Sequence, residues 1–316
     1  MSRPGGKQEA LLALAGAAAL VAIAFGAPWL KFVLTIALAK GLAVLGILLL
    51  LRAGQVSFGH ALYVAFAAYV VAFLAPLVPE ALVLLPLAAL GAALLGLVIG
   101  LFVSRYREIF FGMMNLALSM VFYSLLEKFY HFTRGTDGIR VQPPRVAGMA
   151  LTRDGYEWAL FGIALGLCLV AGWLARIYLA SPMGQALSAI KTRETRLEFM
   201  GISARAALLF AYVASAFLAG CAGAIIAMTT RHVTPLLGYW TASGELVFIA
   251  VLGGAGAVLG PFLGAIAFEL VRVYAAATLA DSWQLILGSV LLGVILFASR
   301  GLWGVIEALL RRGRRA

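Results

Sequence analysis

FVLTIALAKGLAVLGILLLL, residues Phe32 to Leu51, is an apolar run carrying a single charge, Lys40. A helix needs roughly 20 mostly apolar residues to cross the hydrocarbon layer of a bilayer, and this stretch reaches that length by itself. Comparable runs, separated by charged or Pro/Gly-rich breaks, fall near residues 10–30, 32–51, 60–75, 81–103, 108–128, 157–178, 207–228, 243–254, 256–276 and 283–299. They predict an all-α polytopic integral membrane protein of about 8–10 transmembrane helices, a single membrane-spanning domain over residues 1–316. The runs at 60–75 and 243–254 are too short to cross as straight helices. Each is therefore tilted, broken, or completed by irregular backbone buried in protein.

Composition agrees with this class. The chain is 64% hydrophobic and 12% charged, whereas a soluble domain is about half apolar and a quarter charged. A net charge of +11 would suit nucleic acid, but the basic residues lie between apolar runs rather than on one soluble face. Membrane orientation accounts for them, and nucleic-acid binding is set aside. Arg3 and Lys7 precede the first run, which is long enough to span and lacks a convincing cleavage site, so it reads as a first transmembrane helix rather than a removed signal. With the N-terminus inside, Arg52, Arg105, Arg107, Arg176 and the basic residues of 191–205 also fall inside, and both termini are expected to be cytoplasmic.

Two hydrophilic connections interrupt the pattern. Residues 129–157 fall outside, and Gly135, Gly138, Pro143 and Pro144 suit turns in an ordered cap. Residues 179–206 fall inside. There Ala186, Ala189, Ile190, Leu197 and Met200 recur at helical spacing with charges between them, which predicts a short amphipathic cytoplasmic helix. The basic tail over 300–316, with Arg311, Arg312, Arg314 and Arg315, suits anionic membrane lipid. The arrangement of spans on either side of residues 150–206 permits an internal inverted repeat, a common transporter architecture.

Several motifs bear on function. Gly54-Gln55-Val56-Ser57-Phe58-Gly59-His60 is either a discontinuous helix lining a transport path, with Gln55 and Ser57 supplying hydrogen bonds, or a tight helix-helix turn. Spacing leaves both readings open. Glu245 to Pro261, ELVFIAVLGGAGAVLGP, faintly echoes a dinucleotide fingerprint, but it has no strand and no soluble context. Gly253, Gly254, Gly256 and Gly260, like Gly54 and Gly59, instead suit close helix packing in lipid. Lys40, Glu245, Glu269 and Arg272 are charges within or at the edge of spans, where isolated charges are costly. Glu269 and Arg272 are three apart and can pair locally. Lys40 and Glu245 have no local partner and point to a pathway or to inter-helix pairing, with snorkelling to an interface as the plainer alternative. Cys168 and Cys221 read as small core residues, His60, His131 and His232 lack metal-ligand spacing, and no Walker-type phosphate loop occurs.

Four segments, in order, resemble the LivM-type permeases of branched-chain amino acid ABC transporters: GQVSFGHALYVAFAAY at Gly54 to Tyr69, GTDGI at Gly135 to Ile139, GQALSAIKTRETRLEFMGI at Gly184 to Ile202, and ELVFIAVLGGAGAVLGPFLGA at Glu245 to Ala265. The resemblance runs from roughly Lys40 to Leu310. It implies a non-enzymatic permease of a bacterial or archaeal cytoplasmic membrane, paired with a similar second permease, two cytoplasmic ATPase subunits that carry the ATP and Mg, and an extracytoplasmic solute-binding protein. It also implies that the inner loop is a coupling helix docking on an ATPase, with Gly184, Ala186, Ala189, Ile190, Gly201 and Ile202 matching the pattern. On that reading the small and apolar side seats in the ATPase groove, while Lys191, Arg193, Glu194 and Arg196 stay at a polar rim. The implied solutes are branched-chain or other small apolar amino acids.

Two departures from the family's usual wording bear on substrate identity. Arg134 stands where a second glycine is more usual, and Gln185 stands where a basic residue is frequent. A related permease for urea, amides or other small solutes is an alternative. An ion-coupled secondary transporter using Lys40, Glu245, Glu269 or Arg272 as a relay is another, and a membrane scaffold a third.

Overall fold

A computed structural model describes residues 6–199, 201–278, 283–298 and 300–312. The side chains of Arg193, Arg196, Arg311 and Arg312, and all of Met200, Arg314 and Arg315, lie outside the described residues. The helices are α1 (Gly6–Gly26), α2 (Leu30–Arg52), α3 (His60–Leu74), α4 (Ala81–Val103), α5 (Glu108–Lys128), α6 (Tyr130–Thr133), α7 (Arg153–Ala180), α8 (Pro182–Phe199), α9 (Ala204–Thr230), α10 (Trp240–Gly253), α11 (Gly260–Thr278), α12 (Trp283–Phe297) and α13 (Gly301–Arg312). Seven of these are long and apolar enough to cross a membrane: α1, α2, α4, α5, α7, α9 and α11. Three shorter apolar helices, within α3, α10 and α12, account for the remaining runs of the sequence. At 1.5 Å per residue, α3 and α10 are only about 21–23 Å long, short of the ~30 Å hydrocarbon layer.

The bundle is organised around α2 and α9. The apolar window of α2 is 94% buried, whereas that of α1 is 6% buried, so the two consecutive spans have opposite roles. α2 packs against α7, α9, α10 and α11, while α9 also packs along α3 and α4. Lipid gives no hydrophobic drive for one apolar helix to meet another, so close backbone approach must supply the contact. The sequence of α9, rich in Ala, Gly and Ser, makes that possible. A Cβ on Gly223 would come 2.1 Å from the Val64 carbonyl oxygen of α3, and one on Gly220 would come 2.6 Å from the Ala92 methyl of α4. The outward faces of α4 and α5 instead present large apolar side chains such as Leu90, Leu94, Ile109 and Met113.

A long central helix followed by a short one occurs twice, as α2 then α3 and as α9 then α10. That recurrence is the pattern an internal repeat leaves. Between the two halves, residues 129–152 fold over one end of the bundle. Ile139–Arg140 pairs antiparallel with His232–Val233. The Glu80 carboxylate accepts the backbone N–H groups of Ala147 and Gly148 at 2.8 and 2.9 Å. The Tyr130 hydroxyl donates to the Asp137 carboxylate at 2.5 Å, a hydrogen bond that holds the phenol above its ordinary pKa. The cap is thus an ordered layer on the end of the bundle remote from α8.

Candidate functional site

Lys40 lies near the middle of α2, Glu245 in the first half of α10 and Glu269 at the middle of α11. The packing of these three helices brings the charges into one line. Lys40 Nζ stands 2.9 Å from Glu245 Oε2 and 2.6 Å from Glu269 Oε1. Arg272 completes the line through Nη2 and Nε, 2.8 and 3.0 Å from Glu269 Oε2. The local Glu269–Arg272 pair is therefore half of a four-residue network. Glu269 is 1% exposed, and its charge is tolerated there because a cation faces each oxygen. Glu269 Oε1 makes no geometrically good hydrogen bond, so its contact with Lys40 is an ion pair at close range rather than a directed bond. The ammonium also lies 5.6 Å from the Phe268 ring centre. Glu245 is the more open carboxylate, and it lines a cavity of about 360 Å³ between α10, α11 and α12 with Thr241, Trp240, Phe248 and Gln284.

The 53–59 segment joins α2 to the short α3, with Ala53, Gln55, Ser57 and Gly59 buried and Gly54, Val56 and Phe58 half-buried between them. Gln55 Oε1 accepts the backbone N–H of Glu108 at 2.7 Å, and its Nε2 donates to the Ala53 carbonyl at 3.3 Å. Ser57 Oγ accepts the Gly59 N–H at 3.4 Å. These side chains thus supply hydrogen bonds that the irregular backbone between α2 and α3 needs. The Ala61 N–H, an orphan donor at the start of α3, is accepted by Ser243 Oγ of α10 at 3.0 Å. A Cβ on Gly59 would come 2.6 Å from the Asn115 carbonyl oxygen, so this glycine lets α3 begin against α5.

A buried polar file continues from this junction. His60 Nε2 pairs with Ser215 Oγ, the Tyr63 hydroxyl donates to the Tyr212 hydroxyl at 2.7 Å, and the Tyr212 hydroxyl donates to Asn115 Oδ1. Asn115, Ser119, Ser215 and Ser243 belong to this site although no motif of the sequence marks them. Their signal was present as isolated polar residues inside apolar spans, with Asn115 and Ser119 spaced to share one helix face.

α8 forms where amphipathic spacing predicted it and lies against the same end of the bundle. Its apolar face is turned inward. Ala186 and Ile190, expected to seat in an ATPase groove, are instead buried in this chain with Leu187 and Leu197. The physical reason is that this face is what anchors the helix to the body. Glu194, expected at an outer rim, makes a two-pronged pair with Arg107, with Nε at 3.0 Å and Nη2 at 2.7 Å. Lys191 lays its stem across Gly54, where a Cβ would come 3.1 Å from the lysine Cγ. The exposed side carries Met183, Gln185, Ser188 and Thr192, and Phe199 at its end is 92% exposed. Ala189 and Ile202 are partly buried against the core. Gly184 makes the reversal from α7 into α8, since a Cβ there would fall 2.2 Å from the Tyr178 carbonyl oxygen. Gly201 takes φ +75° between α8 and α9, a left-handed conformation suited to glycine.

The glycine-rich segment after α10 brings three backbones together. A Cβ on Gly253 would stand 2.1 Å from the Gly260 oxygen, one on Gly254 would stand 2.2 Å from the Arg300 oxygen, and one on Gly260 would stand 2.3 Å from the Gly254 oxygen. Gly256 is less constrained, its nearest neighbour being Trp303 at 3.4 Å. The end of α10 and the starts of α11 and α13 thereby share one knot beside Arg52, which donates to the Gly256 carbonyl at 3.2 Å.

Seven helices long and apolar enough to span a membrane, with a charge network where α2, α10 and α11 meet and a polar helix fastened to one end, put this chain among polytopic membrane proteins. Comparison with known proteins gives the family. The chain belongs to the branched-chain amino acid transport system / permease component family, whose model matches residues 29–299. It is similar to the high-affinity branched-chain amino acid transport system permease protein LivM of Escherichia coli, 28% identical over 209 residues that cover 60% of this chain and 49% of the relative. The LivM protein of Salmonella typhimurium is 27% identical over the same shares. The inner membrane ABC transporter permease protein YjfF of Escherichia coli is 29% identical over 148 residues, 44% of this chain and 45% of that protein. The chain thus spans about half the length of the curated relatives it matches. No solved structure matches it.

Proposed function

We propose that this chain is the path-forming permease of an ATP-driven importer for branched-chain or other small apolar amino acids. It works with a homologous second permease, two cytoplasmic ATPase subunits and an extracytoplasmic solute-binding protein. Both termini face the cytoplasm of a bacterial or archaeal cell. The observation that carries this reading is α8, a polar helix tied to three parts of the bundle with one side left open. An ATPase seated on that open side would move α8, and the Glu194–Arg107 pair and the Lys191 stem would pass the movement to the α4–α5 turn and to the 53–59 junction. Gln55 and Ser57 keep that junction intact, and Glu245, held by Lys40, faces the path. ATP and its Mg belong to the partner subunits.

Reconstitution of the full complex in proteoliposomes tests this. Amino acid uptake should require internal ATP and persist when ion gradients are collapsed. Charged substitutions at the exposed Met183, Gln185, Ser188 and Thr192 should release the ATPase while the permease still folds. Uptake that follows an ion gradient and ignores ATP depletion would instead assign the Lys40–Glu245–Glu269–Arg272 network to an ion-coupled carrier, the second reading that the network favours.

A further inference from the structure

At the end of α2 opposite the 53–59 junction, a cavity of about 210 Å³ opens between the starts of α2 and α7 and the end of α9. Lys31, Arg153 and Arg231 line it, with Glu157 as the one acidic group in the lining. The cations are held in different ways. Lys31 is 2% exposed, pairs with Asp154 across to α7, and lies 4.9 Å from the Trp158 ring centre. The Arg231 guanidinium stands 5.1 Å from the Tyr156 ring, on a residue whose φ of +56° ends α9 in the left-handed region. Arg153 is 87% exposed and pairs with Glu157 at 3.2 Å. The Thr35, Thr229 and Thr230 hydroxyls donate to their own helix carbonyls and the Tyr156 hydroxyl to the Met228 carbonyl, so the side-chain donors left facing the cavity come from the three cations.

Counting Asp154 with the lining, three positive charges face two negative ones, a surplus of one. A buried ammonium and a guanidinium fixed over aromatic rings, with one uncompensated charge, suit a monoanionic oxyanion. Depth is set by the neighbouring aromatic residues. Trp29 is exposed at the turn from α1 into α2 and meets the exposed Tyr274 of α11 edge to face, ring centres 6.4 Å apart. Exposed Trp and Tyr side chains flanking a span belong at the membrane–water interface, the level of lipid headgroups. We propose that this cavity binds the phosphodiester of an anionic phospholipid in the leaflet opposite α8, with Lys31, Arg153 and Arg231 as its donors. The site is separate from the charge network and does not rest on the transport reading.

The test uses the purified full chain in neutral detergent, titrated with phosphatidylglycerol, phosphatidylcholine or inorganic phosphate and read by native mass spectrometry and thermal shift. Phosphatidylglycerol should be retained and should stabilise the chain, and phosphatidylcholine should do so much less. Arg153→Gln with Arg231→Gln should weaken phosphatidylglycerol retention about tenfold, the scale expected for losing one to two interfacial cations. Arg153→Gln alone, at an exposed position, should weaken it without loss of fold, and Glu157→Gln should not weaken it. Equal retention of the two lipids, or unchanged retention in both arginine variants, would overturn the proposal. Protection by inorganic phosphate equal to that by phosphatidylglycerol would overturn the lipid assignment and leave a free-oxyanion site.

Discussion

Glu269 shows how a charge survives at the centre of this bundle. It is almost fully buried, and Lys40 and Arg272 each face one of its oxygens. Removing its charge leaves Lys40 with Glu245 alone and Arg272 with no partner in the network, so Glu269→Gln should destabilise the chain by about 3–5 kcal/mol, the cost of breaking a buried pair. Glu245→Gln should cost less, because that carboxylate is partly exposed to the cavity and Lys40 keeps Glu269. Unfolding of the two variants in detergent gives the order directly, and equal losses would contradict the network drawn from these distances. Gly253 makes a steric case of similar clarity. Gly253→Ala would set a methyl 2.1 Å from the Gly260 oxygen, which backbone cannot relieve by a rotamer change, and a loss of about 1–3 kcal/mol or more is expected. Gly256→Ala, facing Trp303 at ordinary contact distance, should be nearly neutral in the same assay.

Helices differ in how far the rest of the protein depends on them. α1 buries little of its surface, and the family match starts after it, at residue 29. A chain beginning at Ala27 should therefore assemble α2 to α13 with helical content reduced only by the missing helix, as circular dichroism and gel filtration would show. Loss of the whole fold would mean that α1 closes the groove it shares with α7 and α11. α8 depends on a few polar ties. A double-mutant cycle on Arg107→Ala and Glu194→Ala should give a coupling of ~1 kcal/mol, the upper range for a partly exposed pair with two-pronged geometry. The existence of the ten apolar helices and of α8 was readable in the sequence because each apolar run is bounded by charge, Gly or Pro, but α13 was not, since residues 300–316 read as a basic tail and yet Gly301–Arg312 is helical. Which face of α8 turns inward was not readable either. Amphipathic spacing identifies an apolar face but not whether it meets this chain or another, and here Ala186 and Ile190 meet this chain.

For the whole molecule, both cysteines are buried in the bundle, Cys168 on α7 and Cys221 on α9. A membrane-permeant maleimide should label neither in the native state and both after denaturation. Rapid native labelling would mean the α2–α7–α9 packing opens readily. By itself, the sequence determined the membrane class, the positions of the spans, the two short helices and the polar helix between the halves. Apolar length, charge spacing and glycine breaks are local properties, and the bilayer obliges each run to satisfy its backbone internally. Only the tertiary structure decided that Lys40, Glu245, Glu269 and Arg272 form one network, that Gln55 serves the start of α5, and that Lys31 and Arg231 share a cavity. Apart from the local Glu269–Arg272 pair, those pairings join residues more than fifty positions apart, and no local pattern can specify them. They exist because small residues let α2, α9 and their neighbours approach closely enough for side chains on different helices to meet.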